Sequence, residues 1–172
     1  MVDTGLLKIK SEEIIEFSSE IGITFGFAES LTGGMISSSV VNVPGASAVF
    51  KGSVVSYTNE IKERVLGVPS GIIDAHTEVS GECAQAMAEG AHDILGVDLA
   101  VSVTGIAGPA GSLPGKPVGT VFVGYCYSGP NVKDMISGSV EYHFAGTRNE
   151  VRITTALTAL NTAISLIREG RA

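Results

Sequence analysis

At 172 residues, with 44% hydrophobic and 17% charged side chains, the chain has the size of one domain that closes its own core without disulfide or metal staples. A net charge of −7, with 11 Lys and Arg scattered and no basic run, argues against a protein that tracks nucleic-acid phosphates. Two cysteines and three histidines without paired spacing give no metal site, and Lys8, Lys10, Glu12 and Glu13 break up any signal segment.

Along the chain, Ser11 is expected to cap a first helix to about Glu20, with Gly22 ending it. A short apolar strand from Thr24 to Phe27 follows, then a helix from Thr32 to about Val41, broken by Pro44-Gly45. Gly52 to Thr58 is β-rich, and Asn59 is placed to cap a helix from Glu60 to Leu66. The clearest helix begins at Ser80. Its Cys83, Ala84, Met87, Ala88, Ala91, Ile94 and Leu95 share one face, and Glu82, Gln85, Glu89, His92 and Asp93 take the other. Asp98 to Thr104 is a strand leading into a Gly- and Pro-rich loop, residues 105–111. Val118 to Tyr127 and about Met135 to Phe144 are strands paired as an antiparallel hairpin across a Ser-Gly-Pro-Asn turn. Thr147 to Glu150 is a capping box that opens a terminal helix with Val151, Thr154, Leu157, Leu160, Ile164 and Ile167 as its buried stripe. Helices and strands in alternation predict an α/β fold: a three-layer αβα sandwich with a mixed, mainly parallel central sheet. No apolar run approaches the roughly 18 residues that a membrane-crossing helix needs, and a cytoplasmic location is expected.

The reactive chemistry gathers at Glu29-Ser30-Leu31-Thr32-Gly33-Gly34, where the first strand turns toward a helix. Ser30 has two readings there, helix cap and nucleophile, and Thr32 can fill the first equally well. Gly33 and Gly34 allow close backbone approach, and N–H groups from Thr32 to Gly34 suit a developing oxyanion. A serine nucleophile needs a base. His92 falls on a polar helix face and reads as solvated; His76 sits in a connecting segment and His143 near a strand end. Lys62 can replace histidine if it is neutral near pH 7. The helix dipole disfavours its ammonium by only about 0.3 to 1 kcal/mol, so burial has to supply most of any shift. Tyr57, beside the Asn59 cap, can relay or orient a proton. Thr104, Gly105 and Gly108 form a second loop at a strand end, where ligands bind in α/β sheets. Arg148 opposes the dipole at the start of the terminal helix, a conflict that a bound phosphate or carboxylate would resolve.

These blocks resemble the CinA C-terminal-domain family, the nicotinamide mononucleotide deamidases. They are Ala-Glu-Ser-Leu-Thr-Gly-Gly at 28–34, Pro-Gly-Ala-Ser at 44–47, Val-Val-Ser-Tyr-Thr-Asn-Glu-Ile-Lys at 54–62, Thr-Gly-Ile-Ala-Gly-Pro at 104–109, Lys-Pro-Val-Gly-Thr-Val at 116–121 and Gly-Thr-Arg at 146–148. The resemblance implies hydrolysis of the nucleotide's carboxamide to nicotinate mononucleotide and ammonia, with Ser30 as nucleophile, Lys62 as base and Tyr57 assisting. It implies a metal-free enzyme, without cofactor, that forms homo-oligomers and takes a small nucleotide, with no nucleic-acid or membrane partner. Departures are Leu31 where the family often has cysteine, Ala110 and Ser112 around a usual Asp-Gly-Gly loop, and Thr147 where aspartate is common. Larger relatives add a molybdopterin-binding-like domain with pyrophosphatase activity, a half not seen in these residues. In this frame Arg148 anchors the phosphate, and Glu29 holds either a ribose hydroxyl or Lys62. The rival reading is a nucleotide or phosphosugar binding module that uses the same loops without turnover. A weaker one is a scaffold for a DNA-uptake or repair complex.

Overall fold

A computed structural model describes residues 4–130 and 132–169; Asn131, the last residue of the expected hairpin turn, lies outside them. The elements run α1 (Thr4–Ile21), β1 (Phe25–Glu29), α2 (Met35–Val41), a single 3₁₀ turn (Ala46–Ala48), β2 (Phe50–Val55), α3 (Asn59–Leu66), α4 (Ser70–His76), α5 (Gly81–Leu95), β3 (Leu99–Gly105), β4 (Thr120–Tyr127), β5 (Ile136–His143) and α6 (Arg148–Glu169). The five strands form one sheet in the order β2-β1-β3-β4-β5. β1 pairs parallel with β2 and β3, while β4 pairs antiparallel with β3 and β5. Every strand but β4 therefore runs the same way, and the mixed, mainly parallel sandwich expected from the alternation is the fold observed.

The two faces of the sheet differ in side-chain size. Phe25 and Phe27 of β1, Leu99, Val101 and Val103 of β3, and Val121, Val123 and Tyr127 of β4 meet α1, α2 and α6 in the larger core. Phe25, Phe27 and Phe50 form a ring cluster there, with centroids 5.5 to 5.8 Å apart. The opposite face carries Ala28 and Ala100, packed with Cys83, Met87 and Ala91 of α5. Ser102 donates to the Ala84 carbonyl at 2.5 Å, so α5 lies almost on the sheet. Gly124 makes this possible, because a Cβ there would run into the backbone of Ala84.

Several boundaries differ from the sequence expectation, each for a local reason. α1 starts at Thr4, well before Ser11. Its buried stripe passes through Leu7, Ser11, Ile14 and Ser18, and the two serines hide that stripe from a reading that looks for apolar residues. Ser11 is no cap; its hydroxyl donates to Ser39 Oγ at 3.1 Å across to α2. α2 starts at Met35 because Gly33 and Gly34 take positive φ values of 60° and 91°, which keeps residues 30–34 in a turn. α3 is capped by Thr58, whose side chain accepts from Ile61 N at 3.4 Å, and Asn59 is its first residue. α4, not expected, ends at His76. Ile94 is exposed and not on the core face of α5, and His92 is largely covered and bonded to Ser128 at 2.7 Å. The Ser80 cap is as expected: its hydroxyl accepts from Cys83 N at 3.1 Å. So is the capping box, in which Glu150 accepts from the Thr147 amide at 2.9 Å and hydroxyl at 2.8 Å; those bonds hold the Glu150 carboxyl below its ordinary pKa.

Among the described residues no helix is long and apolar enough to cross a membrane. The close approach of α5 to the sheet makes Gly124→Ala costly, by more than about 2 kcal/mol, since the obstacle is backbone and cannot rotate away. Urea unfolding is expected to show a lower midpoint with an unchanged slope.

Candidate active site

β1 and β3 lie side by side, and the chain leaves them in opposite directions along the sheet, from β1 toward β2 and from β3 toward β4, so the crevice beyond their carboxyl ends is a topological switch point. Ser30 follows β1, and the Gly105–Gly108 loop follows β3. A cleft of about 240 Å³ opens there, lined by residues that include Ser30, Leu31, Tyr57, Asn59, Lys62, Glu78, Thr104, Gly105, Gly108 and Arg148.

At its floor the Lys62 Nζ lies 3.2 Å from Ser30 Oγ and donates to the Ser56 carbonyl at 3.0 Å. Lys62 is only 1% exposed. Burial pulls its pKa below the ordinary lysine value, while Cys83 and Glu78 push it back up. Cys83 is itself pushed up to about 11, chiefly by burial and against the pull of Lys62, so it is a neutral thiol near neutrality and leaves Glu78 as the opposing charge. The helix dipole alone is too weak to neutralise Lys62, and burial is the largest cause of the shift.

Ser30 does not cap α2. That role belongs to Glu29, which is fully buried. One of its carboxylate oxygens accepts from Thr32 Oγ1 at 2.8 Å, Gly34 N at 3.0 Å and Ile36 N at 3.1 Å. The other accepts from Ser37 N at 2.9 Å, Ser37 Oγ at 2.7 Å and Ser53 Oγ at 3.3 Å. Glu29 thus touches neither Lys62 nor the cleft. Thr32 is buried beside it, and Gly33 and Gly34 line a different cavity, on the far side of the turn. The Gly33 amide donates to the Ser30 carbonyl at 3.1 Å and the Gly34 amide to Glu29, so neither is available to an oxyanion.

At the rim, Arg148 Nη1 donates to the Gly108 carbonyl at 2.8 Å and Nη2 to the Tyr57 hydroxyl at 3.1 Å. Tyr57 is 58% exposed and faces Arg148 where a proton relay would require Lys62. Asn59 lines the cleft from the first turn of α3, and Thr104 lines it with its hydroxyl donating to the Glu78 carbonyl at 2.7 Å. Gly105 and Gly108 are required by crowding. A Cβ on Gly105 would meet the Thr120 carbonyl at 2.6 Å, and one on Gly108 would meet Val118 at 2.5 Å. Among the described residues no histidine lines the cleft.

Glu78 and Arg152 escaped sequence reasoning. Arg152 holds the serine turn from behind, donating to the Leu31 carbonyl at 3.0 Å and the Thr32 carbonyl at 2.8 Å. Its signal was its place one turn after Arg148, a second cation near the positive end of α6. Glu78 sits in a connector without periodicity and carried no signal.

The model of the CinA C-terminal domain matches residues 8–167. The chain belongs to the CinA C-terminal domain family. It is 48% identical over 143 residues to a CinA-like protein of Geobacter metallireducens, covering 83% of this chain and 33% of that protein. With a CinA-like protein of Thermotoga maritima it shares 44% over 157 residues, 91% of this chain and 37% of that one. The chain thus spans about a third of the length of these curated relatives. Among solved structures, the competence/damage inducible protein CihA from Agrobacterium tumefaciens superposes with a TM-score of 0.86 at 33% identity, covering 96% of this chain and 98% of that one. ComA from Klebsiella pneumoniae gives 0.86 at 28% identity, covering 92% and 95%.

Two stability outcomes follow from the geometry of this CinA domain. Glu29→Gln turns an acceptor into a donor facing donors, and is expected to cost more than about 2 kcal/mol in urea unfolding. For Lys62 the folded pKa is the lower one, so between it and the ordinary lysine value the unfolded chain holds a proton that the folded domain lacks. Stability then rises with pH through that window. Lys62→Met removes the penalty and is expected to raise Tm, with a gap that widens toward acid pH; calorimetric scans across pH would show it.

Proposed function

We propose that this CinA domain is an amidohydrolase that converts nicotinamide mononucleotide to nicotinate mononucleotide and ammonia through a Ser-Lys pair. The observation that carries this reading is the 3.2 Å contact between a buried amine and a serine hydroxyl at the floor of a cleft.

The neutral amine of Lys62 takes the Ser30 proton as Oγ attacks the carboxamide carbon. The resulting ammonium gives that proton to the nitrogen as the C–N bond breaks, so ammonia leaves and an ester on Ser30 remains. Water then gives a proton to the same amine as it attacks the ester, the ammonium returns that proton to Ser30 Oγ as the C–O bond breaks, and the acid so released loses its own proton to solvent as the carboxylate. The amides of Leu31, Ala107 and Gly108 are the oxyanion donors in this scheme, because their residues line the cleft and no described group accepts from them. Each such donor is worth about 3 kcal/mol in acyl transfer. Arg148, held by Tyr57 and Gly108 at the rim, takes the phosphate, and Tyr57 serves by orienting that guanidinium.

Ammonia release from nicotinamide mononucleotide tests the scheme. Wild type is expected to release it at a rate that rises with pH through the lowered Lys62 pKa. Ser30→Ala, Lys62→Met and Lys62→Arg are each expected to lose roughly a thousandfold or more, the arginine because it keeps its proton. Binding by all of them with release by none would replace turnover with sensing.

A further inference from the structure

Glu78 is the one acidic side chain among the residues lining the cleft. It is half-buried, forms no ion pair, and its carboxylate accepts no hydrogen bond among the described residues. The backbone that presents it is held in an uncommon shape. Thr77, just before it, has a φ of 69°, strained for a β-branched residue. Lys116 Nζ clasps this corner, donating to the His76 carbonyl at 2.7 Å and Thr77 Oγ1 at 2.9 Å. Thr104 holds the Glu78 carbonyl from the other side at 2.7 Å, and Ser80, two residues on, anchors α5. A strained corner fixed from two directions turns an unpaired carboxylate toward a concave site, in a cleft whose other fixed charge is Arg148.

Glu78 also works against the base, since its field raises the proton affinity of Lys62. That cost disappears when a cation occupies the cleft and neutralises the carboxylate. The ring of an oxidised pyridine nucleotide is such a cation. Its phosphate is an anion, suited to Arg148 at the rim.

We propose that Glu78 makes this cleft select the cationic, oxidised pyridine ring over its neutral reduced counterpart. The inference rests on the nucleotide reading of the cleft. In consequence the substrate's own charge frees Lys62 to act as base, and reduced mononucleotide is spared.

The reduced form of nicotinamide mononucleotide has the same carboxamide, ribose and phosphate with a neutral ring, so calorimetric titration of both forms into Ser30→Ala protein isolates the charge. The oxidised form is expected to bind about fivefold more tightly, the size of one solvent-screened charge pair. Adding Glu78→Gln is expected to abolish that preference by weakening the oxidised form alone, and Glu78→Asp to keep it, with urea unfolding confirming that both fold. No preference, or equal weakening of both forms, as for a carboxylate that reads the carboxamide N–H, overturns the proposal. Preference dependent on Glu78 without ammonia release from wild type leaves it standing and sinks the hydrolase reading. Binding of neither form sinks both.

Discussion

A lysine side chain shut away from water retains its proton only if the surroundings replace the lost hydration, and around Lys62 they do so incompletely. The Nζ has two partners, the Ser30 hydroxyl and the Ser56 carbonyl, whereas an ammonium offers three donors. A neutral amine fits this pair better, with one N–H on Ser56 and its lone pair toward the Ser30 hydroxyl proton. The pair itself is built around that mismatch: a serine presented by one strand and an amine by the helix opposite.

The height at which the amine sits is set far from the cleft. Small residues on one face of the sheet let α5 lie close, and α5 in turn carries α3. The contact is at Gly90, where a Cβ would collide with the Leu66 carbonyl. Leu66 lies one turn beyond Lys62, so the depth of the lysine depends on the thickness of the packing between α3 and β1. Bulk added at Gly124, Gly90 or Ala28 would lift the amine away from a serine that the strand holds still. The stability of the layer and the geometry of the pair are in this sense one constraint.

The layer architecture was legible because a strongly periodic segment such as α5 carries its own face, and because Ser80 and the Thr147-Glu150 box mark helix starts by chemistry that does not depend on tertiary context; the stripe of α6 was read only in part, since Thr154 and Leu157 are half-buried while Ala156, Ala159 and Ala163 fill its core face. Boundaries failed where context decided. The stripe of α1 runs through two serines, and the start of α2 is fixed by a carboxylate supplied from the preceding strand. Ser30, Lys62, Arg148 and the 104–108 loop were visible because strand ends, helix starts and glycine runs are where α/β sheets place reactive groups. The partnering of Tyr57 with Arg148, the clamp by Arg152 and the exposure of Glu78 depend on side chains distant in the chain, and no local pattern encodes them.

Glu29 and Ser30 show how much such a reading gains from strand geometry alone. Neighbours in a strand point to opposite faces, so Phe25, Phe27 and Glu29 share the face that meets α2, while Gly26, Ala28 and then Ser30 share the face that meets α5 and α3. A carboxylate beside the cleft serine therefore stands with its back to the cleft, and the donors that fill its oxygens fix its structural place. The distinction extends to Glu78. A carboxylate whose acceptor sites are all met by the protein has little left to offer a ligand, whereas one held unpaired in a concave site keeps its acceptor oxygens for a partner of opposite charge. Of these two acids, the fully satisfied one builds the turn, and the unsatisfied one is free to recognise what enters.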